Sequence, residues 1–564
     1  MPSLLLITIF LPALGAVALL LLDPKATAAR ARWVALLVSV ATFLVSWGLA
    51  AQYMALPPVP SSERGPVHPQ LVLRQTWLDL SQAGPHSPGV KLEFFLGLDG
   101  ISVALVLLTT ILTISSVLVS WTAIRERAAE FYACLLILET GLVGVFCSFD
   151  IILFYVFFEF TLIPLFFLVG IWGGPLRRYA AGKFFVYTLG GSLITLLGLV
   201  SMVVAAVRDN PALTTPFSIP DLAQTLSQHQ LPAAVQTTLF LMIAAGFMVK
   251  VPLFPFHTWL PLAHVEAPTA GSVLLAGVLL KLGTYGFLRM LLPMLPYACL
   301  NTGLPLIGTM ASIGILYGSF CALSQNDIKK LVAYSSVAHL GFCMLGLFAL
   351  NEEGISGGVL QMINHGLSTG ALFCIVGMFY ERYHTRQLNE LGGIATKLPL
   401  MAVAMVFTSF ASIGLPGLNG FVGEFLCLAG MFKAGDGIGA IFATMGALGV
   451  VIGAWYLLGV VQHAFFGKVH LPAEDHGDGH HHAHEPVADL NAREIAALAP
   501  LLGLCLLLGL FPQPLLNLIR PDVQAIVSVQ LNSDFKTPIK VSNSVTNASL
   551  TQPPGVAPGS EVQP

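Results

Sequence analysis

Apolar residues run through this chain in long stretches, without the short alternating pattern of a soluble domain. A helix that spans a membrane needs about 20 mostly apolar residues, and fourteen stretches come near that length. They cover residues 3–22, 33–51, 99–121, 131–147, 149–171, 183–207, 236–260, 269–293, 303–323, 328–350, 355–380, 399–432, 437–465 and 495–513. The pattern therefore predicts an all-α polytopic membrane protein with about fourteen transmembrane helices.

Two of these predicted helices contain residues that interrupt a straight helix. Helix 7 contains Pro252 and Pro255, and helix 12 contains Gly414, Pro416 and Gly417. Proline lacks a backbone N–H and clashes with the preceding turn. We therefore expect helices 7 and 12 to be broken or kinked.

The two breaks fall in two consecutive blocks of five predicted helices. Helices 4–8 occupy residues 131–293, and helices 9–13 occupy residues 303–465. An odd number of spans inverts the second block relative to the first, which is typical of inverted-repeat transporters. The placement predicts two inverted five-helix repeats, preceded by helices 1–2 (residues 1–51) and helix 3 (residues 99–121).

Three segments are too polar to lie in the membrane. Residues 52–98 are rich in Pro, Gly and Ser and are predicted to form an extramembrane loop, and residues 514–564 a polar C-terminal tail that is mobile toward its end. Residues 466–494, which precede helix 14 (residues 495–513), form a histidine-rich inside loop. Such a loop can bind a metal adventitiously, but it has no fixed ligand geometry, so no metal site is predicted.

Composition narrows the class of protein. Of 564 residues, 55% are hydrophobic and 10% are charged, whereas a soluble domain has about 25% charged residues. These values exclude a soluble enzyme, a disordered protein and a nucleic-acid binder. The eight cysteines occur singly, which argues against a disulfide framework or an iron–sulfur site.

The basic residues predict the orientation in the membrane. If the amino terminus is placed outside and the helices alternate, the inside loops hold fifteen Lys and Arg residues, and the outside loops and tail hold eight. Short cytoplasmic loops carry the excess of Lys and Arg. Both termini are therefore expected outside.

Several ionisable residues lie deep within predicted spans, away from the span ends. Such a residue costs about 2.5–3.5 kcal/mol at the helix centre, so it usually faces the protein interior, finds a partner or lines a hydrated path. They are Glu139, Glu159, Lys250, Lys281, His339, His365 and Glu424.

Lys250 is the most suggestive of these residues, because it lies two residues before Pro252 at the predicted break of helix 7. A break frees backbone carbonyls and admits water, as a proton relay requires. Glu424 has a similar position after Pro416. The alternative is a set of static ion pairs, and histidines can simply form hydrogen bonds between helices. The role of Glu139 stays open.

Four long motifs resemble those of the antiporter-like subunits of respiratory complex I. The motifs are FYVFFEFTLIPLFFLVGIWGG, GFMVKVPLFPFHTWLPLAHVEAPTAGSVLLAGVLLKLGTYGFLR, KKLVAYSSVAHLGF and GLPGLNGFVGEF. In combination they are similar to one of the three such families, subunit M (chain 4) of the NADH-quinone oxidoreductases, over about residues 95–465. The resemblance implies fourteen helices, two inverted five-helix repeats, and breaks in helices 7 and 12.

The resemblance also implies a proton relay. The family's relay residues on helices 5, 7, 8, 10, 11 and 12 fall on Glu159, Lys250, Lys281, His339, His365 and Glu424. The path would run from the inside through Lys250 and Lys281, then His339 and His365, to Glu424. One departure is Leu262, where many bacterial members carry an acidic residue; Glu266 follows four positions later.

By this resemblance, the chain is expected to be a membrane-arm subunit of an NADH:quinone-type oxidoreductase that translocates protons, driven by quinone reduction in partner subunits. Flavin, iron–sulfur clusters and quinone would belong to the complex, and no redox centre, cofactor site or metal site is expected in this chain. Expected partners are the neighbouring antiporter-like subunits and the lipid bilayer, without nucleic acid. The expected location is a bacterial inner (plasma) membrane.

Two alternatives stay open. The first is a subunit of a multi-subunit sodium/proton antiporter, although helix 12 of those proteins commonly carries lysine where this chain has Glu424. The second is a structural scaffold whose buried charges are static pairs.

Overall fold

A computed structural model of the chain describes residues 2–21, 28–57, 59, 64–79, 90–435, 437–469 and 487–531. Among these residues, thirteen helices are long and apolar enough to cross a membrane, judged by length and composition. Two shorter apolar helices, Pro399–Ser412 and Asn419–Phe432, together cover predicted helix 12. The prediction of an all-α polytopic membrane protein is therefore confirmed.

The elements follow the predicted spans closely. The first are α1 (Pro2–Leu20), α2 (Ala28–Met54), β1 (Gln70–Asp79), β2 (Lys91–Leu98) and α3 (Gly100–Val119). The next are α4 (Ala128–Cys147), α5 (Ile151–Phe160), α6 (Leu162–Trp172), α7 (Arg177–Asp209), α8 (Ile219–Gln228), α9 (Ala233–Lys250), α10 (Leu260–Glu266), α11 (Thr269–Leu274) and α12 (Lys281–Gly286). The last are α13 (Pro296–Ala298), α14 (Leu304–Leu323), α15 (Ile328–Phe348), α16 (Glu352–Tyr383), α17 (Pro399–Ser412), α18 (Asn419–Phe432), α19 (Ile438–Val460), α20 (Ala492–Leu510) and α21 (Gln513–Leu531).

Both expected helix breaks are present. Predicted helix 7 consists of α9, which ends at Lys250, and α10, which begins at Leu260. Predicted helix 12 consists of α17 and α18, and residues 413–418 between them are not helical. The inverted relation between the two five-helix blocks stays a prediction.

Predicted helix 8 is less regular than its sequence indicated. Between α11 and α12 the chain forms a π-helical turn at Leu275–Leu279, and a second follows at Phe287–Leu291. Such wide turns leave backbone carbonyls outside the regular hydrogen-bonding pattern and are frequent at functional sites. Lys281 lies between the two turns.

The described part of the predicted extramembrane loop at residues 52–98 contains regular structure that its composition did not suggest. Strands β1 and β2 pair as an antiparallel hairpin. Arg74 on β1 forms an ion pair with Glu93 on β2 at 2.7 Å. The overall Pro, Gly and Ser content of the segment hid two runs rich in the β-branched and aromatic residues that favour strands.

The prediction of a polar tail from residue 514 is wrong for its first part. Residues Gln513–Leu531 form α21, with Ile519, Val523 and Ile526 buried. These positions recur every three or four residues, so one apolar face of an amphipathic helix packs on the bundle. Residues 532–564 lie outside the described residues.

The centre of the bundle can be located from burial. The most apolar stretch of α16 is 100% buried and that of α15 is 94% buried, against 33% for α2 and 28% for α20. The stretch Thr269–Leu291, which contains α11 and α12, is also 100% buried. The three central helices therefore carry Lys281, His339 and His365.

Candidate functional site

Four buried ionisable side chains form a row across the centre of the bundle. Lys281 Nζ lies 2.7 Å from His365 Nδ1, and the His365 and His339 ring centroids are 5.7 Å apart. His339 Nδ1 lies 3.0 Å from Glu424 Oε1. We call these four residues the central row; each is at most 6% exposed.

The order of contacts differs from the expected one. The sequence-based path passed from Lys281 to His339 and then to His365. In the folded chain His365 contacts Lys281, whereas His339 contacts Glu424. The reason is packing: α16 lies between α15 and the helix that carries Lys281, which chain order cannot reveal.

The wide turn at Leu275–Leu279 contributes to the position of Lys281. Its ammonium group donates a hydrogen bond to the carbonyl oxygen of Ala276 within that turn. The same nitrogen faces His365. Lys281 therefore has one fixed backbone acceptor and one titratable neighbour, an arrangement suited to passing a proton to an imidazole.

The Glu424 end of the row is built around the break in helix 12. Gln361 Nε2 donates to Glu424 Oε1 at 3.2 Å. Gly414 in the break has φ +75°, and a Cβ there would lie 2.9 Å from Glu424 Oε2. Glycine thus permits both the left-handed backbone and the close approach of the carboxylate.

A small cavity lies beside His339 and Glu424. Its volume is about 10 Å³, and Ser412 and Tyr456 are among its lining residues. A space of about 10–15 Å³ is enough for one water molecule if polar groups surround it. Ser412 Oγ lies 3.2 Å from His339 Nε2, so both ring nitrogens of His339 have polar neighbours.

Lys250 lies apart from the central row, at the end of α9. Its ammonium group is buried, has no hydrogen-bond partner among the described residues, and lies 4.8 Å from the centre of the Phe158 ring. Glu159 on α5 is close enough to interact with it electrostatically, but no direct ion pair joins them. Glu159 and Lys250 are therefore not paired directly in this structure.

Glu139 also lies outside the central row. It is fully buried on α4, and Thr113 of α3 faces its carboxylate. Within the described part of the chain, it makes no hydrogen bond or ion pair with a member of the row.

Glu266 is engaged by the backbone near the end of α10. Its Oε2 accepts a hydrogen bond from the Leu176 N–H at 2.8 Å. Lys329 Nζ lies 2.5 Å from the neighbouring carbonyl oxygen of Ala267. The Glu266 carboxylate therefore holds the end of α10 against the start of α7, and the adjacent Ala267 carbonyl contacts the start of α15.

Sequence reasoning missed the neutral polar residues that support the row. Asn364 Nδ2 donates to the carbonyl oxygen of Asn419 at 2.7 Å and so ties α16 to the start of α18. Gln361, Asn364, His365 and Ser368 recur at three- and four-residue intervals in α16. This polar stripe in an otherwise apolar helix was the signal that could have identified them.

Among the described residues, no group of three or more His, Cys, Asp or Glu side chains is arranged to hold a metal ion. The histidines of the histidine-rich loop lie outside these residues. They are His470, His476, His480, His481, His482 and His484.

Comparisons with known proteins identify the family of this chain. Residues 148–450 match the family described as NADH:quinone oxidoreductase/Mrp antiporter, TM. The chain is 41% identical over 534 residues to NADH-quinone oxidoreductase subunit M of Rhodobacter capsulatus, covering 93% of this chain and 97% of that protein. It is 39% identical over 514 residues to NADH-ubiquinone oxidoreductase chain 4 of Chondrus crispus, covering 91% and 95%.

Solved structures share the fold. A chain of respiratory complex I from Thermus thermophilus with bound NADH matches with a TM-score of 0.77 and 29% identity, covering 93% of this chain and 99% of that one. A chain of the Mrp complex from Dietzia sp. DQ12-45-1b matches with a TM-score of 0.74 and 20% identity, covering 94% and 98%. The second match indicates the fold alone.

Proposed function

The chain belongs to the NADH:quinone oxidoreductase/Mrp antiporter family as a proton-translocating membrane-arm subunit of the subunit M type, and we propose that its central row carries the protons. The observation that supports this most strongly is the continuity of the row. Four titratable groups from four helices lie side by side, all buried. A static bundle gains little from such a costly arrangement.

The chemistry of the row suits proton transfer in both directions. Each imidazole has two ring nitrogens, so it can accept a proton on one side and release one on the other. A lysine at one end and a carboxylate at the other provide a donor and an acceptor. The space beside His339 and Glu424 admits about one water molecule.

Lys250 is proposed as the input to the row. Its ammonium group lacks a hydrogen-bond acceptor in the described residues, and an unpaired buried charge is costly. Water in the break at residues 251–259, or an approach of the Glu159 carboxylate, would stabilise the charged form. Movement of Glu159 toward and away from Lys250 would then alternately load and release a proton.

The driving energy is proposed to come from quinone reduction in partner subunits, since no redox centre is expected in this chain. Flavin, iron–sulfur clusters and quinone are assigned to the complex, and the neighbouring antiporter-like subunits to the flanks of this one. The proposed location is a bacterial inner membrane, and the basic residues support an orientation with both termini outside. A sodium/proton antiporter subunit is the second candidate, favoured by the shared fold and disfavoured by Glu424.

The test is a Lys281→Met substitution in the complete complex, reconstituted into vesicles and assayed with a pH-sensitive dye. Loss of a positioned proton carrier typically costs about 10²–10⁴-fold in rate, so pumping should fall to near background while the complex still assembles. Lys433→Met is the matched control, because Lys433 is exposed and paired with Glu353. Wild-type pumping by Lys281→Met would refute the relay.

A further inference from the structure

A second group of buried charges lies where α21 meets the start of α3. Asp99 is 0% exposed, Arg289 is 2% exposed and Asp522 is 7% exposed. Arg289 forms an ion pair with Asp99. Asp522 Oδ2 accepts a hydrogen bond from the Gly100 N–H at 2.8 Å. The relay described above uses none of these three residues.

The backbone explains why two carboxylates meet at this point. Asp99 caps α3 by accepting a hydrogen bond from the Ser102 N–H at 2.8 Å. A Cβ at position 100 would lie 2.0 Å from the carbonyl oxygen of Leu518, so α21 packs directly on the first turn of α3. Gly100 is therefore required for the contact, which brings Asp522 to the helix terminus that Asp99 already caps.

Only one of the two aspartates has a direct cationic partner within the described residues. Arg289 forms an ion pair with Asp99, whereas Asp522 forms none and interacts with the Arg289 and Arg64 guanidinium groups only at longer range. The partial positive charge of the α3 N-terminus also favours the ionised carboxylates. Burial, together with the nearby Asp99 carboxylate, raises the pKa of Asp522 well above its ordinary value. The other titratable or charged groups that face the two aspartates are Tyr53 of α2, Arg64, Cys147 of α4 and Tyr285 of α12.

Predicted helix 8 carries residues of both this cluster and the central row. Lys281, Tyr285 and Arg289 are spaced four residues apart and so lie along one side of predicted helix 8. Tyr285 donates to the carbonyl oxygen of Phe146 at 3.0 Å, and its hydroxyl lies 3.1 Å from Ser102 Oγ. Arg289 Nη2 lies 3.3 Å from the same serine oxygen.

We propose that Asp522, together with Asp99 and its partner Arg289, holds one exchangeable proton. This carboxyl pair would release protons that leave Lys281 by way of Tyr285 and Ser102. In each cycle an N–H bond breaks at Lys281 and an O–H bond forms on the carboxyl pair. The two hydroxyls each give up one proton and receive another, and the pair then releases its proton to water. The proposal rests on the proposed function. It places the release site on the face predicted to be outside.

The test uses Asp522→Asn in the complete complex. The asparagine oxygen can still accept from the Gly100 N–H, so α21 should stay docked. Infrared difference spectra across a pH titration should contain a protonated-carboxyl C=O band in the wild type that fades as the pH rises and is absent from the variant. The yield of pumped protons should fall severalfold. Tyr285→Phe should lower the yield while keeping the band.

The matched control is Gln530→Met, which removes a hydrogen bond from α21 to the carbonyl oxygen of Leu292 without changing the carboxyl pair. It should keep both the band and the pumping yield. Wild-type pumping or an unchanged band in Asp522→Asn would overturn the release site. If Lys281→Met also pumped normally, the relay itself would fail; if Lys281→Met failed to pump, only the release site would be lost.

Discussion

At the residue scale, the two lysines of the candidate relay have opposite surroundings. Lys281 is held by a backbone carbonyl and an imidazole nitrogen, whereas Lys250 faces the ring of Phe158 without a hydrogen-bond acceptor in the described residues. A cation over an aromatic face gains only about 0.5–2 kcal/mol, less than a buried charge needs. Lys250 is therefore the group whose charge depends most on a movable partner.

Lys250→Ala and Glu159→Ala should each lower proton pumping and quinone-coupled activity in membranes by at least about tenfold. If Glu159 acts through Lys250, the double variant should be no worse than Lys250→Ala alone, because neighbouring groups that act together are not additive. The measurement is dye-reported pumping at matched amounts of assembled complex.

The control for this pair is Lys433→Ala, which removes an exposed lysine of the same type. Wild-type pumping in both Lys250→Ala and Glu159→Ala, with normal assembly, would show that the relay does not include them. If the loss of pumping in the double variant equalled the sum of the two single losses, Glu159 would act independently of Lys250.

At the element scale, helix breaks and wide turns place the polar groups. The break between α17 and α18 brings Gly414 against Glu424, and the break after α9 leaves Lys250 at a helix end. The π-helical turn at Leu275–Leu279 supplies the carbonyl that accepts from Lys281. Irregular backbone at membrane depth is tolerated only where protein or water satisfies it, so these sites belong in the interior.

Gly414→Ala tests the break in helix 12. An alanine in the left-handed region costs about 1–2 kcal/mol, and its Cβ would approach Glu424 Oε2 to 2.9 Å. We expect a lower thermal unfolding midpoint and a severalfold loss of pumping. Gly417→Ala is the matched control: Gly417 has φ +94°, but a Cβ at this position would meet no atom within 4 Å.

The comparison separates strain from contact. Both substitutions should lower stability similarly, but only Gly414→Ala should displace the carboxylate and reduce pumping beyond that loss. Equal pumping in the two variants would show that the close approach of Gly414 to Glu424 does not contribute to proton pumping.

At the scale of the whole molecule, the helices at the edge of the bundle are largely exposed and those at its centre are buried. The most apolar stretches of the helices with Lys281, His339 and His365 are at least 94% buried, whereas those of α2 and α20 are 33% and 28% buried. The hairpin β1–β2, α8 and α21 should all lie on one face, because the spans between them alternate. That face is the outside if the loop charges set the orientation.

Cysteine labelling tests this orientation. Ala212 and Asn389 are both exposed and lie in connections that the alternation assigns to opposite faces. In intact cells, an impermeant maleimide should label Ala212→Cys directly and should label Asn389→Cys only after the membrane is permeabilised. The unsubstituted protein controls for native cysteines, and the reverse pattern would invert the assigned topology.

Local chain properties were enough to predict much of this protein. Apolar length gave the positions of the spans, and Pro252, Pro255 and Pro416 marked the two breaks, since proline acts on its own backbone. The cost of placing a charge in a membrane singled out the ionisable candidates. This cost did not distinguish Glu139, which lies outside the central row, from the four residues that form the row.

Only tertiary structure decided how these residues meet. The proximity of His365 to Lys281, the lack of a direct ion pair between Glu159 and Lys250 and the contact of Gly100 with Asp522, 422 residues away, all depend on which helix faces pack together. Hydropathy and proline act within a few residues of sequence, whereas packing joins helices that are distant in the chain. The sequence by itself therefore determined which groups enter the membrane, and the fold determined which of them are neighbours.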